Sequence, residues 1–444
     1  MTQYVNDQLC SHVWLNPIKT VGDGVQKIGI EMEMHAYDSQ TLAPIGTHHA
    51  KVTPQILMQR IRENVSGAKE KIDKKSGFIT LVDLPEGGNF SLEPGGQIEF
   101  SSMPCATLSQ LAKETAKNLL ILEQAARGEV VFLSHGTNPV ADANHPLLLP
   151  KERYKIMTRY FESAPKTVRG IDMMRHCATV QANLDVFGDT HWRDAVQLNM
   201  VLVPLTQYLF ANSLYFKGQK STYLSERQAV WNAMDPSRSG FPFINHRNYF
   251  SECPECAYAN WGKKAGVFLV ESLPLEEQPL FGELTFSQWM NEGYKGTKPT
   301  VDDWETHLAT LFPHLRLRKF LEVRHIDAQP FEHTFAPIAF FAALIQCNKT
   351  RQKTWEILKP YHFDYEKLFS GEVETYSFLH EPLLNLACEI LTDCKEIEGA
   401  RAVEAYKVFI QKKEEYFAAD SAQDFLIKHK TATPSGEFLK YLTI

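Results

Sequence analysis

Four segments of the chain alternate polar and apolar residues with the two-residue period of a β-strand. In residues 28–37, IGIEMEMHAY, Glu31 and Glu33 alternate with isoleucine and methionine. The polar positions of the four segments carry carboxylate, amide and guanidinium groups: Glu31 and Glu33 in residues 28–37, Gln97 and Glu99 in residues 91–102, Gln181 and Asn183 in residues 178–186, and Glu322 and Arg324 in residues 321–327. The pattern predicts four strands, each with one polar and one apolar face.

Other segments have helical periodicity. Leucines recur at helical spacing in residues 104–127, with Thr107 as a candidate N-cap and Gly128 at the position of a C-cap. From Phe335 onward the chain is predicted to be almost wholly helical. We therefore expect an α+β fold with a sheet-and-helix core at residues 1–334, which holds the candidate catalytic residues, and a helical portion at residues 335–444 packed on the same domain.

Two further segments are predicted to lie outside regular structure. The lysine-rich residues 66–76 are typical of an exposed connector. Residues 235–260 are rich in proline, asparagine and aromatic side chains, and we interpret them as a loop that could cover a substrate.

Composition narrows the class of protein. The chain has 444 residues, of which 44% are hydrophobic and 22% charged, as in a soluble globular protein. A net charge of −7 argues against nucleic acid as the main partner, and no apolar run is long enough for a transmembrane helix. The N-terminus lacks the pattern of a signal peptide, and the eight cysteines form no regular framework. We expect a cytoplasmic protein with small-molecule partners.

The polar faces gain significance if the four strands share one sheet. Glu31, Glu33, Glu99 and Glu322 would then lie on one face, where mutual repulsion raises their pKa values unless cations neutralise them. Convergent oxygen ligands suit Mg²⁺, which commonly accompanies phosphate. The alternative is four ordinary amphipathic strands whose polar faces meet water.

Arginines are a second indication of a site that binds carboxylates or phosphates. Arg175, Arg227, Arg238 and Arg324 lie near the predicted strands or the 235–260 loop, and guanidinium groups bind carboxylates and phosphates in a bidentate manner. The glycine-rich motifs of dinucleotide-binding and phosphate-binding loops are missing, so any nucleotide must be held by metal-bridged carboxylates and arginines. Cys253 and Cys256 form one CxxC pair, whereas structural zinc requires four ligands.

A series of motifs resembles the plant-like type of glutamate–cysteine ligase. The matches span residues 28–330 and run in this order: GIEMEM, SLEPGGQIEFSS, HGTNP, LPKERYKIMTRYF, MMRHCATVQANLDV, LFANS, ERQAVWNAMDPSRSG, LTFSQWMNEG and HLATLFPHLRLRKFLEVRHIDAQP. The resemblance implies a curved, largely antiparallel sheet that forms a funnel-shaped active site, with helices packed outside, related to glutamine synthetase.

The resemblance also implies a reaction and its residues. ATP would phosphorylate the γ-carboxylate of L-glutamate, and the amine of L-cysteine would displace the phosphate to give γ-glutamylcysteine, the first step of glutathione biosynthesis. The implied roles are these: Mg²⁺ binding by Glu31, Glu33, Glu93, Glu99 and Glu322; substrate binding by Gln181, Asn183, Trp231, Arg175 and Arg227; ATP binding by Gln97, Arg238 and Arg324; and catalysis by Arg175, Arg227, Arg238 and Arg324. The protein is expected to be a monomer or a homodimer.

Three alternatives remain open at this point. A ligase of the same fold could use a different amine as acceptor, and a non-catalytic relative could bind without turnover. A glycoside hydrolase could use a carboxylate pair such as Glu31 and Glu99, but it would need neither ATP nor Mg²⁺ and leaves the arginines unexplained.

Overall fold

A computed structural model of the chain describes residues 25–46, 51–140, 148–240, 254–361 and 373–442. Its strands are β1 (Ile28–Asp38), β2 (Lys69–Ile72), β3 (Ile79–Asp83), β4 (Asn89–Leu92), β5 (Ile98–Ser101), β6 (Val130–Leu133), β7 (Val180–Leu184), β8 (Tyr215–Phe216), β9 (Gln219–Lys220), β10 (Ser239–Gly240), β11 (Phe312–Pro313), β12 (Leu315–Leu317) and β13 (Leu321–Val323).

Helices occupy most of the rest of the described chain. They are α1 (Pro54–Asn64), α2 (Leu108–Ala126), α3 (Glu152–Glu162), α4 (Gly170–His176), α5 (Asp189–Leu209), α6 (Glu226–Asn232), α7 (Pro254–Lys264), α8 (Phe286–Glu292), α9 (Val301–Ala309), α10 (Phe335–Ile345), α11 (Asn348–Leu358), α12 (His380–Asp393), α13 (Ile397–Gln411), α14 (Lys413–Tyr416), α15 (Ala422–His429) and α16 (Pro434–Leu439). Single 3-10 segments lie at Leu275–Glu277, Phe331–His333 and Val373–Leu379. Within these ranges, no helix combines the length and the apolar character needed to cross a membrane.

One antiparallel sheet organises the fold. Its strands follow the order β12-β13-β7-β1-β5-β4-β3-β2, and β6 pairs with the distal half of β1. In the described residues the two ends of this order, β12 and β2, do not pair with each other, so the sheet does not close into a barrel. The expected mixture of helices with an antiparallel sheet is confirmed.

The apolar face of the sheet forms the core. Ile30, Met32 and Met34 alternate along β1 and are buried, and Phe90 and Phe100 pair across β4 and β5 with ring centroids 5.4 Å apart. Helices α1, α2 and α10 contact the sheet at β4, β1 and β7, respectively, so the polar residues of these strands must point the other way. The alternation of apolar and polar residues thus determines which face of the sheet carries the candidate catalytic residues.

The predicted ends of α2 are confirmed. Thr107 has extended backbone geometry, and its hydroxyl accepts a hydrogen bond from the Gln110 N–H, as an N-cap does. At the other end Arg127 and Gly128 have φ angles of 51° and 70°, and this left-handed geometry stops the helix.

The described residues of the C-terminal portion are almost wholly helical, as predicted, and they pack against the preceding chain. Thr431 exchanges two backbone hydrogen bonds with Phe132 of β6, at 2.8 and 2.9 Å. The Tyr215 hydroxyl donates to the carbonyl of Phe417 at 2.8 Å. The division of the chain at residue 334 stays a prediction.

Two of the predicted irregular segments are wrong in part. Residues 69–72 of the expected connector form β2, an edge strand whose residues are all exposed. In the expected 235–260 loop, Ser239–Gly240 form β10 and Pro254 begins α7. Residues 241–253, including Cys253, lie outside the described residues.

Candidate active site

The sheet brings the four polar segments onto one face, which confirms the prediction that they share a sheet. Strands β13, β7, β1 and β5 are consecutive neighbours. Glu33 lies opposite Glu99, Glu31 lies opposite Gln181, and Glu322 lies opposite Asn183. Because the side-chain period of a strand is two, these residues line one continuous polar surface.

Three carboxylates on this surface form a cluster, which we call the carboxylate group: Glu33, Glu93 and Glu99. One oxygen from each lies within 4.8 Å of the others. The hydroxyl groups of Ser91 and Ser101 donate to Glu99 Oε1 at 3.0 and 3.2 Å and orient that carboxylate. Glu33 Oε2 accepts the backbone N–H of residue 179 at 3.0 Å.

Electrostatics in the carboxylate group disfavour full ionisation. Burial, reinforced by the charge of Glu93, raises the pKa of Glu99 to about 7. Burial and the neighbouring Glu93 and Glu99 raise the pKa of Glu33 well above its usual range. Beside the group, burial and the charges of Glu322 and Glu99 raise the pKa of Glu31 to about 7. A bound cation would return these groups to the ionised form.

The donor set of the carboxylate group suits a hard divalent cation. Three carboxylates without a histidine or cysteine offer only oxygen ligands, which is the preference of Mg²⁺. Glu31 lies beside them and is held by a hydrogen bond of 3.0 Å from the Asn183 side-chain amide to its Oε1. Four of the five predicted metal ligands therefore lie together.

The fifth predicted metal ligand, Glu322, has a different environment. Its carboxylate pairs with Arg316 at 2.9 Å, with Arg318 at 3.2 Å and with Arg324 in a closer contact. Although burial opposes ionisation, these three guanidinium groups lower the pKa of Glu322 to about 2. A carboxylate engaged by three arginines serves to position them, and the predicted metal-binding role of Glu322 stays a prediction.

The three arginines around Glu322 form a second unit, which we call the arginine group: Arg316, Arg318 and Arg324. Against the single charge of Glu322 they carry a net positive charge next to the carboxylate group. Arg324 also donates to Gln181 Oε1 at 2.9 Å. Gln181 lies on β7, which pairs with β1, the strand that carries Glu33, so β7 connects the arginine group with the carboxylate group. A cationic and an anionic surface side by side suit a ligand that carries phosphate together with Mg²⁺.

Two polar atoms on this surface, Nε of Arg324 and Oδ1 of Asn183, are buried without a hydrogen-bond partner in the described part of the chain. Nε of Arg175, on α4, has the same property. Buried polar atoms are normally satisfied, so these atoms leave donors and an acceptor for a polar ligand. This observation accords with the predicted substrate and nucleotide roles of these residues, which stay predictions.

A tight turn carries Glu93 into the carboxylate group. Gly95 passes so close to α4 that an added Cβ would lie 2.4 Å from the carbonyl oxygen of Arg175. Gln97 closes the turn, since its side chain accepts from the Gly95 N–H at 2.9 Å and donates to the carbonyl of Cys177 at 2.8 Å. Both polar groups of the Gln97 side chain thus hold the turn, and its predicted ATP-binding role stays a prediction.

Arg227 and Trp231 lie together beneath the polar surface, on α6. The guanidinium group is buried and donates to the backbone carbonyls of residues 324 and 325 at 3.0 and 3.2 Å. It lies 4.5 Å from the Trp231 ring centroid, and its charge lowers the pKa of Glu33 against the larger effect of burial. The predicted substrate contacts of Arg227 and Trp231 stay predictions.

Arg238 is enclosed by protein groups. Its guanidinium donates to Asp235 at 3.0 Å, to the carbonyl of Thr310 at 3.1 Å and to the carbonyl of Gly266. It is wholly buried, and its Cζ lies 4.8 Å and 4.6 Å from the ring centroids of Tyr160 and Phe268. Every nitrogen of the guanidinium therefore already contacts another part of the fold, and the predicted catalytic and ATP-binding roles of Arg238 stay predictions.

Lys151 is a site residue that the sequence reasoning missed. Its ammonium lies 3.4 Å from the carbonyl of Leu92, and its charge opposes the rise in the pKa of Glu93 that burial causes. Tyr154 from the same segment donates to the same carbonyl at 3.0 Å. The LPKERY segment was quoted only for its resemblance, and its lysine has no periodic pattern that could have identified it.

Comparison with known proteins gives the family. The sequence profile of glutamate-cysteine ligase family 2 (GCS2) matches residues 27–381, a range that holds the carboxylate group and the arginine group. The chain belongs to glutamate-cysteine ligase family 2. This membership confirms the resemblance drawn from the motifs.

Plant members of the family are similar to this chain. It is 28% identical over 357 residues to the chloroplastic glutamate–cysteine ligase of Nicotiana tabacum, which covers 79% of this chain and 65% of that protein. It is 31% identical over 348 residues to the chloroplastic glutamate–cysteine ligase B of Oryza sativa subsp. japonica, which covers 73% of this chain and 64% of that protein. The chain therefore spans less than two thirds of the length of these relatives.

Two solved structures show a distant likeness. The glutamate–cysteine ligase of Francisella tularensis in complex with AMP has a TM-score of 0.42 and 12% identity, with 94% of this chain and 84% of that chain covered. The ligase PafA, in complex with the prokaryotic ubiquitin-like protein Pup, has a TM-score of 0.40 and 10% identity, with 91% of this chain and 68% of that chain covered.

Proposed function

We propose that this protein is an ATP-dependent and Mg²⁺-dependent ligase that joins the γ-carboxylate of L-glutamate to the amine of L-cysteine. The product is γ-glutamylcysteine, the first intermediate of glutathione biosynthesis. The observation that carries the proposal is the carboxylate group beside the arginine group on one face of the sheet, in a member of glutamate-cysteine ligase family 2.

In this proposal the carboxylate group, with Glu31 beside it, holds Mg²⁺. When bound there, Mg²⁺ would neutralise the charge of the ATP phosphates. Ser91 and Ser101 keep Glu99 oriented, and the close turn at Gly95 keeps Glu93 on the same surface. Lys151 balances the charge of Glu93 at the edge of the site.

The arginine group contacts the transferring phosphate. Glu322 fixes Arg316 and Arg324 in place, and the hydrogen bond from Arg324 to Gln181 sets its direction. Since these cations are already ordered before substrate arrives, they stabilise the charge of the transition state without reorganisation. The unpartnered Nε of Arg324 supplies a donor for this purpose.

The chemistry divides into two displacements. A γ-carboxylate oxygen of glutamate attacks the terminal phosphorus of ATP, the bond to the bridging oxygen breaks, and ADP leaves. The cysteine amine then attacks the carbonyl carbon of the γ-glutamyl phosphate, a C–N bond forms, the C–O bond to phosphate breaks, and the amine loses a proton. We propose that Arg175, Arg227 and Asn183 bind glutamate. Arg175 and Asn183 each carry a buried polar atom without a partner.

The proposal also includes the cellular compartment and the oligomeric state of the protein. We propose a cytoplasmic protein, because the buried free thiols of Cys105 and Cys177 suit a reducing environment. Fractionation of cells that express the full chain with a C-terminal tag tests this. We keep the expectation of a monomer or homodimer, which light scattering of the purified protein measures.

A product assay tests the function. Purified protein is incubated with ATP, MgCl₂, L-glutamate and L-cysteine, and the products are weighed by mass spectrometry. We expect γ-glutamylcysteine, ADP and phosphate in equal amounts. A product formed from another member of a panel of amines but not from cysteine would change the acceptor and keep the ligase chemistry. No phosphate release with any amine would indicate a non-catalytic relative.

A further inference from the structure

A cavity of about 230 Å³ lies between the end of β6 and the C-terminal helices. Ser134, Phe331 and Tyr416 form part of its wall, together with charged residues from three separate elements. No residue of the carboxylate group or the arginine group lines it. The cavity is therefore separate from the candidate active site.

Two acidic residues line the cavity. Glu332 lies in the 3-10 segment Phe331–His333, and Glu437 lies on α16. Burial and the neighbouring Glu332 raise the pKa of Glu437. Lys440 pairs with Glu332 Oε2 at 3.1 Å. The carboxyl oxygens that Lys440 leaves open can accept from a ligand cation with several N–H donors.

Two lysines line the same cavity. Lys428 and Lys430 flank the end of α15, and their ammonium groups contact the backbone carbonyls of Ala418 at 3.0 Å and Ile427 at 3.4 Å. An ammonium group has three donors, so each lysine retains capacity for an anion. The backbone bridge between Thr431 and Phe132 holds this part of the wall against β6.

The size and donor set of the cavity exclude a metal ion as its best occupant. Among the described residues, the only group of three or more potential ligands at metal-binding distances is the carboxylate group. The cavity has the volume of about eight water molecules, far more than a single ion needs. Phe331 and Tyr416 add apolar surface to the same lining.

We propose that this cavity binds a small α-amino acid as a zwitterion. The ammonium group of the ligand contacts Glu332 and Glu437, and its carboxylate contacts Lys428 and Lys430. The side chain of the ligand packs on Phe331 and Tyr416. This site is independent of the proposed ligase reaction, and its test is separate from the product assay.

Ligand-observed NMR by saturation transfer tests the proposal with the full chain. The probes are glycine, L-alanine and L-glutamine, with ethylamine and acetate as probes that each carry one charge. We expect saturation transfer to at least one amino acid at millimolar concentration and little to either single-charge probe. The absence of transfer to all three amino acids would overturn the proposal.

Variants locate the binding. Glu332→Gln combined with Glu437→Gln, and separately Lys428→Gln combined with Lys430→Gln, are each expected to weaken binding by about 10-fold or more, which corresponds to about 1.4 kcal/mol. Glu63→Gln, on the exposed side of α1, is the matched control and should bind as the parent does. Thermal unfolding verifies that each variant is folded. Unchanged binding in both double variants would overturn the proposal, because an amino acid held in the active site would behave in that way.

Discussion

Glu33 and Glu99 lie directly opposite each other on the antiparallel strands β1 and β5, and Glu93 from the adjoining turn completes a set whose oxygens approach within 4.8 Å. Like charges at directly opposed positions of a sheet destabilise it. The fold nevertheless gives Glu99 two serine donors and Glu33 one backbone donor, and leaves both residues half-buried. In our proposal, a bound cation offsets the repulsion between the two carboxylates.

Replacement of Glu99 by glutamine should reduce turnover by roughly 100-fold or more, because it removes one anionic ligand from the carboxylate group. The substitution keeps the size of the side chain and an oxygen that can accept from Ser91. The measurement is ATP-dependent product formation as a function of MgCl₂ concentration. Glu70→Gln, on the exposed edge strand β2, is the matched control and should leave the rate unchanged. A near-normal rate for Glu99→Gln would remove this residue from the metal site.

The stabilisation by Mg²⁺ should increase with pH. The pKa values of Glu31 and Glu99 are raised to about 7 in the folded protein. Between the lower pKa of the unfolded chain and pH ~7, the folded state therefore binds more protons than the unfolded state. In this window the stability of the metal-free protein falls as pH rises, since ionisation sets the carboxylates against one another. Mg²⁺ competes with those protons and binds better once they have left.

Thermal unfolding with and without MgCl₂ measures this pH dependence of the stabilisation. We expect the Mg²⁺-induced increase in Tm to be small at pH ~6 and large at pH ~8, with the change centred near the raised pKa values. In Glu99→Gln the increase should be smaller at both pH values. A stabilisation that is equal at the two pH values in the parent protein would contradict the assigned protonation.

The sequence predicted the sheet face well because alternation is a local signal. Glu31, Glu33 and Glu99 lie on strands whose apolar partners are buried, so the period of two identified both faces. Strand β2 was missed for the opposite reason, since its residues are all exposed and lack an apolar face. Glu93 precedes the alternating run and was predicted from resemblance alone.

The arginine group could not be predicted from a local sequence pattern, because tertiary contacts bring its members together. Arg316 and Arg318 lie on or beside the short strand β12, and their significance arises only when the β12–β13 hairpin brings them to Glu322. Arg238 was predicted for the site on its residue type, yet its partners lie in chain segments 28 and 72 residues away. Only the tertiary fold reveals which arginines are already occupied.

Glu322→Gln should be strongly destabilising, by about 3–5 kcal/mol, because it leaves three guanidinium groups around a buried neutral amide. Chemical denaturation measures the change. Glu389→Gln breaks an exposed ion pair with Lys353 at 2.8 Å and is the matched control, with an expected cost below about 1 kcal/mol. If the Glu322 variant unfolds with the same free energy as the parent, the carboxylate does not balance the arginine group.

Gly95→Ala tests whether close packing of the Glu93 turn is needed for metal binding. An added Cβ would lie 2.4 Å from the carbonyl oxygen of Arg175 and 2.8 Å from its Cα, both of which are backbone atoms that cannot rotate away. The turn or α4 must move, at a cost of about 1–3 kcal/mol, and Glu93 moves with it. We expect a lower Tm together with a higher MgCl₂ requirement. Gly436→Ala is the matched control: its added Cβ has 3.9 Å of clearance and lies on a helix, so it should not lower the Tm and should leave the MgCl₂ requirement unchanged. A lower Tm with an unchanged MgCl₂ requirement would separate the turn from the metal site.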